Sequence, residues 1–304
     1  MDGVIVVDKP EGWTSHDVVG KMRGIVGRDA RGQGGVRAKA KVGHLGTLDP
    51  IATGVLPLVI GRATRLAQFY TRSDKIYECL VRFGWATSTY DRAGEPVGER
   101  QEVRIDAEEL ERHLHQFRGK FLQTPPAVSA KKVDGRRAYE LARNDVTVEL
   151  APVEIEVYEL SVLAIEGAEV RLRAHCSGGT YMRSIAHDLG QSLGYGGHIA
   201  ELRRTASGEF GIAQARTIAQ LESLAAEERL IDVIVPAAEM MPGFPSVVVD
   251  DAAVAQIRNG RNFAASPFRA QAASKYAKAV SHRGELVAVG EAVLPNVYHP
   301  VVVM

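Results

Sequence analysis

The chain has 304 residues, 45% of them hydrophobic and 24% charged, enough for one large folded unit and a small one. Its 37 basic residues balance 37 acidic ones, so net charge alone points to no polyanionic partner. Two cysteines, Cys79 and Cys176, exclude a disulfide framework and fit a reducing, cytoplasmic setting. Residues 1–9 carry an early acid and too short an apolar run for a signal peptide, and no segment reaches the roughly 20 apolar residues that span a bilayer.

In chain order, residues 3–7 are apolar and β-branched and read as a buried strand. Ser15 can cap a helix to about Gly27. Residues 28–40 are rich in Gly, Arg, Lys and Ala without a hydrophobic period and read as a flexible basic loop. Its glycines do not make a phosphate loop, because no Gly-Lys-Ser/Thr follows. Residues 55–60 read as a strand, 63–72 as a helix and 75–85 as a long strand. Residues 106–117 form a helix capped by Asp106, with Leu110, Leu114 and Phe117 on one face. An extended stretch at 123–126 precedes a short helix near 135–143.

Strands at 152–165 and 168–176 make a hairpin around Glu166-Gly167. A glycine turn opens a helix from Thr180 to about Leu193, and 199–205 is a further strand. Helices near 216–225 and 227–235 follow. Residues 236–245 hold three prolines and a glycine, which is linker composition, so the expected units are 1–245 and 246–304. The second unit reads as β-rich from Val247-Val248-Val249, Asn259-Gly260 and a strand pair around Arg283-Gly284.

Charge is unevenly spread. Residues 21–41 carry seven Lys or Arg against Asp29, and residues 118–143 carry seven against Asp134 and Glu140. Such segregation offers a basic face to a phosphate backbone, although two solvated loops would give the same pattern.

The most informative string is GHLGTLDPIATGVLP at 43–57. It holds one carboxylate, Asp49, in a loop made stiff by proline and closely approachable by glycine. No further ligands surround it, which suits a carboxylate acting directly on a substrate as nucleophile or base. An Asx-turn ahead of Pro50 is the structural alternative. Cys176 precedes Ser-Gly-Gly but has no evident base partner and reads as a buried strand residue. The nine histidines show no HExxH or paired spacing, so no metal site is expected.

Extended to residue 64, the Asp49 string closely resembles the catalytic motif of the TruB family, the tRNA pseudouridine-55 synthases. Four further strings match that family in order. They are VIVVDKPEGWTS at 4–15, Lys75-Ile76-Tyr77 with Asp91-Arg92-Ala93-Gly94, PPAVSAKKVDGRRAYE at 125–140, and CSGGTYMRS at 176–184 with Gly196-Gly197-His198 and Leu202-Arg203-Arg204. The 28–40 segment departs from the family by being longer and more basic.

The resemblance implies an α+β pseudouridine synthase fold: a mixed, largely antiparallel β-sheet flanked by helices, then a small PUA-like β-barrel. It implies isomerisation of uridine to pseudouridine at position 55, in the T-arm of tRNA, without cofactor or metal. A monomer without an obligate protein partner is expected, reading its RNA mostly by shape and a flipped base. By motif position, Asp49 is the central catalytic residue, Arg183 pairs with it, and Tyr77 stacks on the target base. Tyr181 and Leu202 line the uridine pocket, and His44 fills the gap left in the base stack. Lys9, Lys21, Lys131, Lys132 and Arg136 are the expected phosphate contacts. The alternatives are a non-catalytic RNA chaperone and an RNA-guided relative; the start of the chain almost at the Asp-Lys-Pro motif favours a stand-alone enzyme.

Overall fold

The computed structural model describes residues 2–32, 41–127, 132–133, 136–137, 150–265 and 274–304. The chain opens with β1 (Gly3–Lys9), α1 (Ser15–Gly32), β2 (Val42–His44) and β3 (Ala52–Ile60), then a 3₁₀ helix, Gly61–Tyr70. There follow β4 (Lys75–Phe83), the ribbon of β5 (Ala86–Thr87) and β6 (Pro96–Val97), α2 (Ala107–Leu114) and β7 (Gly119–Gln123). A second ribbon, β8 (Lys132–Val133) and β9 (Arg136–Arg137), precedes β10 (Val153–Glu166), β11 (Glu169–Cys176), α3 (Met182–Ser192) and β12 (Gly197–Ser207). The short β13 (Phe210–Gly211), α4 (Ile218–Ala226) and β14 (Val235–Pro236) complete this part.

One sheet runs β14-β1-β3-β12-β4-β11-β10-β7, with β2 added to β3 and β13 to β12. Within it β3 and β12 are parallel and the other strand pairings antiparallel. The expected mixed, largely antiparallel sheet is therefore present. Side chains alternate across each strand, so β1 divides its apolar residues between two clusters. Ile5 and Val7 join Val18, Met22, Leu110, Ile185 and Leu189 from the helices, while Val4 and Val6 join Leu66, Phe210, Met240, Leu286 and Val289.

The last two of those residues belong to a second sheet. It is built from β15 (Ser246–Val249), α5 (Asp251–Arg258), β16 (Phe263–Ala264), β17 (Tyr276–Ser281), β18 (Leu286–Leu294) and β19 (Val297–Val303). Its strand order is β15-β17-β18-β19-β16, a barrel-like curl around Val249, Ile257, Phe263 and Tyr298. No described helix is long and apolar enough to cross a membrane.

Several local expectations need correcting. Helix α1 does not stop near Gly27 but runs to Gly32, with Val18, Met22, Ile25 and Val26 forming a buried stripe along its earlier turns. Residues 28–32 are thus helical rather than loop, and 33–40 lie outside the described residues. Its capping box is Thr14 with Asp17, not Ser15, because Thr14 Oγ1 accepts from the Asp17 amide at 3.1 Å and Asp17 accepts from the Thr14 amide at 2.9 Å. The helices expected at 63–72 and 227–235 are 3₁₀ segments, the second only Leu230–Val233. The helix expected near 135–143 lies outside the described residues except for β9. Asn259-Gly260 closes α5 instead of turning a hairpin: the Asn259 amide bonds back to Ala255, and Gly260 takes φ +81°.

Candidate active site

Three buried polar side chains hold the Asp49 loop from below. Ser15 Oγ accepts from the Leu48 amide at 2.8 Å and donates to the Leu48 carbonyl at 3.1 Å. Lys9 Nζ donates to the carbonyls of Trp13 at 2.6 Å, Pro10 at 2.9 Å and Pro50 at 3.3 Å. Arg204 is 1% exposed; its Nη2 bonds to Gly46 O at 3.1 Å, Nη1 to Thr47 O at 3.2 Å and Nε to Val55 O at 2.8 Å. Buried donors and acceptors need partners, so these contacts fix the backbone on both sides of Asp49.

The Asp49 side chain is 31% exposed and meets a guanidinium that is not: Arg183 is 3% exposed. Arg183 Nε lies 2.9 Å from Oδ2, and Nη2 donates to Oδ1 at 3.2 Å. This two-point contact fixes the plane of the carboxylate as well as balancing its charge. The remaining nitrogen, Nη1, donates to Thr89 O at 3.1 Å and sits 3.6 Å from Asp91 Oδ2. Asp91 is buried and in turn accepts from Thr89 Oγ1 at 2.7 Å and the Ala93 amide at 3.0 Å. Between those residues Tyr90 adopts φ +63° and stacks on His187, with ring centroids 3.7 Å apart. Arg183 stands in the first turn of α3, and Gln123 anchors the entry by binding both the amide and the carbonyl of Tyr181.

Above the carboxylate opens a cavity of about 560 Å³, whose lining includes His44, Asp49, Tyr77, Tyr181 and Leu202. The structure thus brings together every base-facing residue expected from the sequence, with Arg183 behind Asp49. Tyr77 is 8% exposed on β4, directly across from Arg204 of β12 on the same face; burial pushes its phenol upward from the usual range. Leu202 lies on β12 between Ala52 of β3 and Cys79 of β4. His44 Nδ1 accepts from the Gly46 amide at 3.3 Å.

The expected phosphate contacts fare differently. Lys9 is 0% exposed, with its ammonium on three carbonyls, so it braces the loop and reaches no phosphate. Lys21 is half-exposed and pairs with Glu222 at 2.6 Å. Lys131 lies outside the described residues; Lys132 and Arg136 fall on the rungs of the β8–β9 ribbon. Sequence reasoning gave no role to Gln123, Asp91 or Arg204, and gave Ser15 only that of a helix cap. Arg204 carried a usable signal, since it shares a strand face with Leu202 two residues earlier.

A model of the TruB family pseudouridylate synthase N-terminal domain matches residues 35–182. A model of the tRNA pseudouridylate synthase B C-terminal domain matches 183–241. The chain belongs to the TruB family. A TruB-type relative, the tRNA pseudouridine synthase B of Solibacter usitatus (strain Ellin6076), is 70% identical over the full length of both chains. The Stutzerimonas stutzeri (strain A1501) protein of the same name is 39% identical over 96% of this chain and 92% of its own. Among solved structures, a chain of a Cbf5-Nop10-Gar1 complex superposes with TM-score 0.70 at 28% identity, covering 97% of this chain and 79% of that one. A chain of an H/ACA RNP bound to a substrate RNA containing 2'-deoxyuridine gives 0.70 at 27%, covering 99% and 84%.

Proposed function

We propose that this protein isomerises uridine to pseudouridine in tRNA, at position 55 of the T-arm, with Asp49 as the acting carboxylate and without a cofactor. The observation that carries the reading is a one-third-exposed carboxylate, held at two points by buried Arg183, on the wall of a cavity that also presents Tyr77, Tyr181 and Leu202. At about 560 Å³ the cavity suits one flipped nucleoside. Isomerisation moves the ribose from N1 of the base to C5, transferring no electrons or phosphate to another molecule. The chemistry therefore needs an oriented carboxylate, a stacking surface and exclusion of water, all of which the named residues supply. Tyr77 stacks on the extruded base, and His44 takes its place in the RNA. The enzyme acts in the cytoplasm as a monomer, with the C-terminal sheet as a PUA-like RNA contact.

The test is Asp49→Asn assayed on a T-arm transcript, with pseudouridine mapped by position. Loss of modification at unchanged RNA affinity is expected; modification at the wild-type rate overturns the assignment. The likeness to Cbf5 favours a second reading, a synthase working inside a ribonucleoprotein. Turnover of a bare transcript by the purified chain excludes that reading.

A further inference from the structure

The buried face of β4 runs Lys75, Tyr77, Cys79, Val81, Phe83. Four of these pack as apolar or aromatic residues. The first places an ammonium at a position where a strand ordinarily buries hydrocarbon, and such a charge is costly unless it is used. Lys75 is 6% exposed, and what it exposes faces the Asp49 cavity, which it lines together with Tyr77 and Arg204.

Arg204 spends its guanidinium on the carbonyls of Gly46, Thr47 and Val55. Lys75 Nζ donates to Ser73 O, its one hydrogen-bond acceptor among the described residues. An ammonium has three protons to donate, so the cavity-side donors remain. Its position is close to the Asp49 loop: a methyl group placed on Gly46 would lie 3.6 Å from Lys75 Cε and 3.6 Å from Arg204 Nη1.

We propose that Lys75 is a catalytic cation, its ammonium meeting a carbonyl oxygen of the flipped uracil and stabilising the negative charge of the detached base. This deepens the uridine-isomerisation reading of the cavity and rests on it. When the C1′–N1 bond breaks, its electron pair stays with the base, and the charge is shared among N1, O2 and O4. The ring then turns, C5 forms the bond to C1′, the C5 proton is lost to a base and N1 gains a proton. No external reactant enters. A fixed cation in a water-poor cavity acts where that charge develops and costs no reorganisation.

The rival role is a structural pin through Ser73. The two separate by pH. Burial first, then Arg204, push the Lys75 ammonium down from 10.5 to about 8, against Asp74 and Cys176. The other titratable groups facing this region are Asp49, Tyr70, Tyr77 and His44 in the cavity, and Cys176 is the β11 residue directly across from Lys75. The charged form is the active one, so the rate falls as pH rises through about 8.

The experiment measures single-turnover pseudouridine formation at saturating enzyme on a T-arm transcript from pH 6 to 10. Wild type, Lys75→Met and Lys75→Arg are compared, with RNA affinity and thermal unfolding of each. Lys75→Met is expected to lose about 100-fold or more in rate at unchanged affinity. Lys75→Arg retains most of the rate and loses the alkaline decline, since guanidinium stays charged. Titration of the substrate itself is common to all three and cancels. A Lys75→Met rate within about threefold of wild type, or a loss confined to affinity, overturns the proposal. So does an alkaline decline unchanged in Lys75→Arg, which decides the matter should Lys75→Met not fold. If the wild-type chain itself forms no pseudouridine, the uridine reading fails and takes Lys75 with it. An active wild type with an active Lys75→Met removes Lys75 alone.

Discussion

Ser15 and Leu48, 33 residues apart, exchange two hydrogen bonds through one hydroxyl. The start of α1 is thereby tied to the residue next to Asp49. Ser15→Ala leaves a buried amide and a buried carbonyl without that partner, which costs about 1–3 kcal/mol. Under the proposed function the loop carries the acting carboxylate, so the chemical step is expected to slow as well, by up to about 100-fold. Urea denaturation and single-turnover assays on one preparation check both. A variant that loses stability but keeps full rate would show that the Asp49 loop is placed without Ser15.

The parallel rung between Gly54 and Arg204 sets a second requirement. Gly54 has φ +99°, and a Cβ there would stand 2.2 Å from the Arg204 carbonyl oxygen. Gly54→Ala therefore combines backbone strain with a backbone clash, at a cost of at least about 3 kcal/mol. Gly98 is the control: it has φ +81° with open space around it, so Gly98→Ala carries the conformational cost of about 1–2 kcal/mol alone. Equal losses in the two variants, measured by urea midpoint, would refute the close-approach argument.

The elements that were legible in the sequence are those whose cause is local. Asp106 was read as a cap and accepts from the Glu108 and Glu109 amides; the hairpin around Gly167 forms where the turn residues lie. The Asp49 loop was found because its residues match a family string, not because periodicity revealed it. What stayed hidden depends on distant partners. Lys9 reads as a surface cation until β1 and the Asp49 loop bury it against three carbonyls. Gln123 acts on backbone groups of another element, which no spacing rule encodes, and spacing could place Arg204 on the face of Leu202 but not name the carbonyls it holds. The run Asp251–Arg258 was missed because Asn259-Gly260 is equally a hairpin signal and a helix stop.

Lys278 ties the C-terminal sheet to the segment that precedes it. It is 4% exposed, and its ammonium donates to the carbonyls of Ala238 and Met240, each at 2.8 Å. The next amide, Met241, donates to the hydroxyl of Tyr70 at 2.9 Å, and Tyr70 lines the Asp49 cavity. Lys278→Met leaves both carbonyls buried and unpaired, loosening 236–245. Limited proteolysis in that segment should accelerate about fivefold or more, as a loss of 1 kcal/mol or more in local stability requires. Cleavage at the wild-type rate would mean that the shared apolar cluster of Val289, Val302 and Met240 holds the junction alone.

Lys9 makes the stability of the fold depend on alkaline pH in a direction that can be worked out. Burial lowers its ammonium from 10.5 to about 8, opposed by Asp49 and Glu11. Below pH 8 both the folded and unfolded chains hold the proton, and the folded state carries the full desolvation cost. Between about 8 and 10.5 the unfolded chain still holds a proton that the folded chain has released. Stability therefore gains from this group as pH rises through that window, since the unfolded state binds more protons. Lys9→Met removes the titration. The stability difference between wild type and Lys9→Met should move toward wild type from pH 7.5 to 10.5. Lys75 titrates in the same window but is present in both proteins, so its contribution cancels in the difference. A difference that stays flat would mean that the three carbonyls and Asp49 keep Lys9 charged throughout, and that its ammonium is a permanent part of the Asp49 loop.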